Sequence, residues 1–140
     1  MSGQLAGRET AGSRWLLFRL GEKQCALRLS GLVRVLDQAE LFLAPKLPGE
    51  FKGVIYFNEQ AVPVVNWEAF GIKPGSGRLL LIVEQGKDRV GLEVEETGKV
   101  GEYNLGPGVK EKGFWVELEP ERGIWGLDQD KFFSALKQEH

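Results

Sequence analysis

Histidine and cysteine are nearly missing from this chain of 140 residues, which holds one of each, His140 and Cys25. With a single cysteine no internal disulfide can form, and an isolated thiol suits a reducing compartment; Cys25 reads as a core residue. With its only histidine at the last position, the chain lacks the usual player of general-base work, of Ser-His and Cys-His nucleophilic catalysis and of most zinc sites. Ser30, Ser76 and Ser134 then have no activator and read as turn or surface residues. No apolar run approaches the roughly 18 residues of a membrane span. Residues 1–13 lack the basic start and apolar centre of a signal peptide, so the cytoplasm is the expected location. An excess of positive charge is also absent: the net charge is −2, which gives no general attraction for phosphate backbones, and nucleic acid is not an expected partner. No catalytic group, cofactor or metal is implied.

What is present is an ordinary globular composition, with 42% hydrophobic and 27% charged residues. At this length one domain, or two small fused ones, buries roughly 70% of the unfolded surface. Residues 1–13 (MSGQLAGRETAGS) are small and polar with no apolar period, which predicts a flexible tail, and the folded part is expected over 14–140. Leu16, Phe18 and Leu20 alternate, Gly21-Glu22-Lys23 turns the chain, and Cys25, Leu27 and Leu29 alternate again, which predicts a hairpin continued by an extended piece over 32–36. A loop containing Pro45, Pro48 and Gly49 leads to a second hairpin, 54–57 and 61–65, about the turn Asn58-Glu59-Gln60. Pro63 cannot donate to a ladder, so its strand is expected at an edge or a bulge. A third hairpin joins 79–83 to Val90, Leu92 and Val94, and a fourth joins 114–118 to 124–127, with 101–113 between them read as loop. Asp128 caps a terminal helix with Phe132, Phe133 and Leu136 on one face, and Leu127 can staple onto Phe132.

The two halves echo one another. A shift of 65 positions (81 − 16) sets Leu16-Leu17-Phe18 over Leu81-Ile82-Val83, Gly21 over Gly86, Leu27 over Leu92, Leu29 over Val94 and Val35 over Val100. Val65-Asn66 before Phe70 matches Leu127-Asp128 before Phe132 at a slightly smaller offset. The period is too long for the usual solenoids and predicts two copies of one small β unit, roughly 14–75 and 76–140, packed face to face with a crevice between them.

Other candidate chemistry reads as structure. The stretch 71–78 (GIKPGSGR) is rich in glycine but lacks the lysine-hydroxyl ending of a phosphate loop, and is expected to connect the halves. Strand alternation places Glu93 and Glu95 on an outer, solvated face rather than in a carboxylate pair. Four tryptophans leave open a β-barrel module that stacks single-stranded nucleic acid on exposed aromatics, and a hydrolase would need two carboxylates facing each other across a cleft.

Residues 51–67 (FKGVIYFNEQAVPVVNW) resemble the CheW-like family of chemotaxis coupling proteins, through Pro48, Phe51, Lys52, Gly53, Val54, Val62, Pro63, Val64 and Val65. The resemblance extends to residues 16–29, to 89–94 (RVGLEV) and to the closing strand and helix. It implies an all-β fold of two small five-stranded β-barrels packed together with a short C-terminal helix. It further implies a non-enzymatic adaptor that binds the cytoplasmic tip of a chemoreceptor and the regulatory domain of a histidine kinase, without inserting in the membrane. The chain departs from the family pattern where Tyr56-Phe57-Asn58-Glu59 replaces Asn-Leu-Arg-Gly, where Asn66 replaces an aspartate, and where Val35 stands in place of an acidic residue. An ion pair usual at the partner surface is thereby lost from both sides. The residues expected to meet partners are Val33, Val35, Val54, Asn58 and Glu59 on one face, with Val90 and Gly91 beside the crevice.

Overall fold

The computed structural model describes residues 13–43, 46–76 and 79–137. The tail expected before Ser13, Pro45, the Gly77-Arg78 end of the connector and His140 lie outside the described residues. Among the described residues eleven strands carry the fold: β1 (Ser13–Leu20), β2 (Lys23–Arg28), β3 (Leu32–Asp37), β4 (Phe51–Phe57), β5 (Gln60–Val65), β6 (Leu79–Gln85), β7 (Asp88–Val94), β8 (Glu96–Tyr103), β9 (Glu111–Lys112), β10 (Trp115–Glu119) and β11 (Ile124–Leu127). Among the described residues one α-helix, α1 (Gln129–Lys137), follows, and short 3-10 turns occupy Leu29–Gly31, Trp67–Phe70 and Pro120–Arg122. The class is all-β, as the alternating patterns imply.

The strands form a six-stranded sheet, β8-β1-β2-β11-β10-β9, and a five-stranded sheet, β3-β6-β7-β5-β4. Neither sheet divides at residue 75: the first joins the β1–β2 hairpin to β8–β11, and the second joins β3, β4 and β5 to the β6–β7 hairpin. The two sheets also repeat each other's registers. Leu16 lies opposite Val100 and Leu81 opposite Val35, while the parallel pairs set Gly126 opposite Ala26 and Val64 opposite Gly91. The barrels expected from the resemblance are curled open sheets rather than closed ones. In the five-stranded sheet the free edge of β4 meets the chain after β3 through one bridge, Phe42 to Val54, with two backbone hydrogen bonds of 2.8 Å.

Period-two alternation sorts the side chains into three cores. Ile55, Phe57, Val62, Val64, Leu80 and Ile82 fill the inside of the five-stranded sheet. Trp15, Ala26, Val116 and Ile124 fill the inside of the six-stranded one. The intervening positions of the same strands, among them Phe18, Cys25, Leu27, Leu81, Val90 and Leu92, form the largest core together with Trp67, Trp115 and Phe132. That layer draws on both sheets and holds them together. Helix α1 closes it: Asp128 accepts the Lys131 N–H at 3.3 Å as an N-cap, and Phe132, Phe133 and Leu136 are buried.

Three local expectations are corrected. Residues 101–113 are not all loop, because β8 runs on to Tyr103 and β9 is formed at Glu111–Lys112; β8 is an edge strand whose mostly polar sequence carries no apolar alternation. Pro63 lies in β5, inside the sheet rather than at its edge. Counting from the pair Phe57–Gln60, its missing N–H falls on the side away from β4, where pairing with β7 is confined to Val64–Gly91. Glu95 is not on a solvated face: it stands in the bend between β7 and β8, where one carboxylate oxygen accepts the Gly21 N–H and the other is buried.

Candidate partner-binding surface

β3 and β4 form the two edges of the five-stranded sheet, and both present apolar groups to solvent. On β3, Leu36 packs into the small core and the Arg34 guanidinium lies 5.4 Å over the Phe57 ring. The alternate residues Val33 and Val35 are turned outward, 37% and 40% exposed. On β4, Ile55 and Phe57 are buried, so Tyr56 is driven to the outer face with Val54 and is 63% exposed. Phe42, held against β4 by its bridge to Val54, sets its ring edge-on to Tyr56 with centroids 5.5 Å apart. Leu43 beside it is 83% exposed. An apolar cluster of this kind at a sheet edge is a docking feature, since burying it against a partner removes apolar area from water.

The β4–β5 turn is built from Asn58 and Glu59, both exposed, with φ of 51° and 65°. Two consecutive left-handed residues make the primed turn that matches the twist of a hairpin. Close by, Phe57 carries a second guanidinium, Arg89, at 5.9 Å, and Arg89 is bonded to Glu84 at 2.7 Å.

The structure brings Val54, Asn58 and Glu59 together on one hairpin and sets Val33 and Val35 on the opposite edge of the same sheet. Val90 and Gly91 are not on a surface. Val90 is 4% exposed in the layer between the sheets, and Gly91 is buried under the Leu80 methyl groups, so neither presents the open surface expected beside a crevice. Phe42, Leu43 and Tyr56 were missed. For Tyr56 the signal was present, because alternation along residues 54–57 puts it on the Val54 side; Phe42 and Leu43 sit in a loop where no period applies.

The tryptophans offer no stacking platform. Trp15, Trp67 and Trp115 are buried and Trp125 packs against the layer between the sheets. Several carboxylates are engaged in structure: Glu93 pairs with Lys52 at 2.7 Å and Glu119 accepts the Tyr103 hydroxyl at 2.9 Å. Burial pushes the Cys25 thiol up to about 12, the opposite of what a nucleophile needs. Among the described residues no group of three or more His, Cys, Asp or Glu is placed to hold a metal, and no helix is long and apolar enough to cross a membrane.

Two open sheets sharing one apolar layer, with apolar groups exposed on both edges of the five-stranded sheet, define an all-β domain. The family model for the CheW-like domain matches residues 14–128, and the chain belongs to that family. Among solved structures it is similar to the scaffolding protein CheW of Thermoanaerobacter tengcongensis, at 19% identity and a TM-score of 0.68 over 83% of this chain and 88% of that one. That likeness shows the fold. No curated protein matches the chain.

Proposed function

We propose that this chain is a non-enzymatic cytoplasmic adaptor which couples the cytoplasmic tips of chemoreceptors to the regulatory domain of a CheA-type histidine kinase. The observation that carries the reading is the apolar groups exposed on both edges of the five-stranded sheet, β3 and β4, in a chain that belongs to the CheW-like family. The contact residues are Val33 and Val35 on the β3 edge and Val54, Asn58 and Glu59 on the β4–β5 hairpin, where Phe42 and Tyr56 extend the surface beside Val54. Each contact is modest in area, and strength comes from many copies assembled together. The adaptor carries signal without chemistry, because a receptor held on one face shifts the kinase if the assembly meets its two states differently.

The departures at Val35, Asn58 and Glu59 remove an ion pair from both sides of the surface, so this adaptor recognises its partners through apolar contact there rather than through opposite charges. Capture from native cytosol, with the bound proteins identified, tests the reading. The unmodified chain should retain a histidine kinase and a chemoreceptor. Val35→Asp and Glu59→Arg, both at exposed positions, should weaken capture at least tenfold while leaving the fold intact. Retention of neither protein by the unmodified chain removes the adaptor reading.

A further inference from the structure

Among the described residues the two sheets end in four edge strands, β3, β4, β8 and β9. Three of these edges are blunted. The β4 edge is already occupied by the chain after β3, through the Phe42–Val54 bridge. β9 is two residues long, and β8 carries Glu96, Lys99 and Glu102 along a mostly polar edge. Short edge strands and edge charges are how β proteins discourage a further strand. On β3 the ladder with β6 runs unbroken from Arg34 to Asp37, and alternate residues there turn their backbone N–H and C=O groups away from β6. Val33, Arg34 and Val35 are all exposed, although successive strand residues point to opposite faces. Both faces of this margin are therefore open.

The two faces of β3 call for different side chains. One face presents Val33 and Val35. On the other, the Arg34 guanidinium lies 5.4 Å over the Phe57 ring, and that of Arg89 lies 5.9 Å from the same ring. Glu84, two residues along β6 from the Ile82 opposite Arg34, is bonded to Arg89 at 2.7 Å. Asp37 ends β3 on the valine face and Glu59 stands on the β4–β5 turn, and among the described residues no carboxylate is within ion-pair distance of Arg34. Two guanidinium groups thus share one carboxylate, and stacking on the ring holds Arg34 in place. We propose that β3 accepts a further strand from a partner protein, an extended segment in which one acidic residue stands between two apolar ones. Its main chain pairs with the free edge, its apolar residues cover Val33 and Val35, and its carboxylate meets Arg34 on the opposite face. This names the segment that the β3 contacts of the proposed adaptor receive, and rests on that reading for the partner's place in the signalling assembly.

The test uses the full chain labelled with ¹⁵N and the capped peptide Ser-Thr-Val-Glu-Val-Thr-Ser, with amide shifts and hydrogen exchange as readouts. The peptide should shift the β3 amides saturably and slow exchange at those turned away from β6. Its glutamine counterpart should bind about tenfold more weakly. In Arg34→Gln that preference for glutamate should disappear, in Arg34→Lys it should shrink, and in Arg14→Gln on the other sheet it should stay; retained spectral dispersion verifies that each variant is folded. Alternate residues of a strand pair to opposite sides, so N-methylation of the glutamate and N-methylation of both valines should differ, one abolishing binding and the other sparing it. Equal binding of the glutamate and glutamine peptides overturns the proposal, and so do shifts confined to other edges. Undiminished binding of both methylated peptides overturns strand addition as well. Absence of any peptide response, in a chain that still captures kinase and receptor from cytosol, sinks this inference and leaves the adaptor reading standing.

Discussion

Trp67 and Phe132 stack with centroids 5.8 Å apart and planes 27° apart, joining the short turn after β5 to the helix after β11. Phe132 is fully buried, and Phe70, Phe114 and Phe133 pack around it. The Trp67 indole donates to the Glu93 carbonyl at 3.0 Å, which ties the same cluster to β7. Phe132→Ala should therefore cost about 3–5 kcal/mol. Trp67→Phe keeps most of the stacking and should cost less. Urea unfolding followed by fluorescence checks the order.

Gly91 sits opposite Val64 at the parallel junction of β5 and β7, and a Cβ there would lie 3.2 Å from a Leu80 methyl carbon. Gly91→Ala should destabilise by about 1–3 kcal/mol through overpacking. Any loss of partner capture by this variant should track its unfolded fraction and vanish on cooling into the folded range. A deficit in fully folded protein would place Gly91 at a contact after all.

The Asn58-Glu59 turn holds two non-glycine residues at positive φ. The left-handed region costs an L-residue because its Cβ crowds the next carbonyl oxygen, and glycine escapes that cost. Glu59→Gly should raise stability by about 0.5–1 kcal/mol, seen as a higher urea midpoint with an unchanged slope.

Desolvation raises the Cys25 thiol from 9.0 to about 12 in the folded chain. The folded state thus disfavours the thiolate, while the unfolded chain ionises near 9.0. The stability linked to Cys25 is fully present below that pH and falls as pH rises toward about 12, at about 1.4 kcal/mol per unit. Cys25→Ala should show a shallower decline in urea midpoint over this window. In the native protein at pH 8 the thiol should resist an aromatic disulfide reagent and react only on unfolding.

Much of the β framework was legible because alternation is a local property. Leu16, Phe18 and Leu20, or Val90, Leu92 and Val94, face one way whatever they pack against, and Asp128 before an apolar helical stripe announces a helix start. Strand β8 escaped because an edge strand buries little and needs no apolar pattern. Phe42 and Leu43 escaped because a loop has no period to expose them.

By itself the sequence determined which segments are extended, which side of each strand is apolar, where the terminal helix begins and to which family the chain belongs. Tertiary structure alone decided which apolar side is buried. Val35 and Val90 have the same chemistry, yet Val35 lies on an edge strand, open to solvent, while Val90 lies on an inner strand beneath the opposing sheet. The reason is that burial belongs to pairs of surfaces. A strand fixes its own face, but only the exchange of the β1–β2 and β6–β7 hairpins between the two sheets settles which faces meet and which remain for a partner.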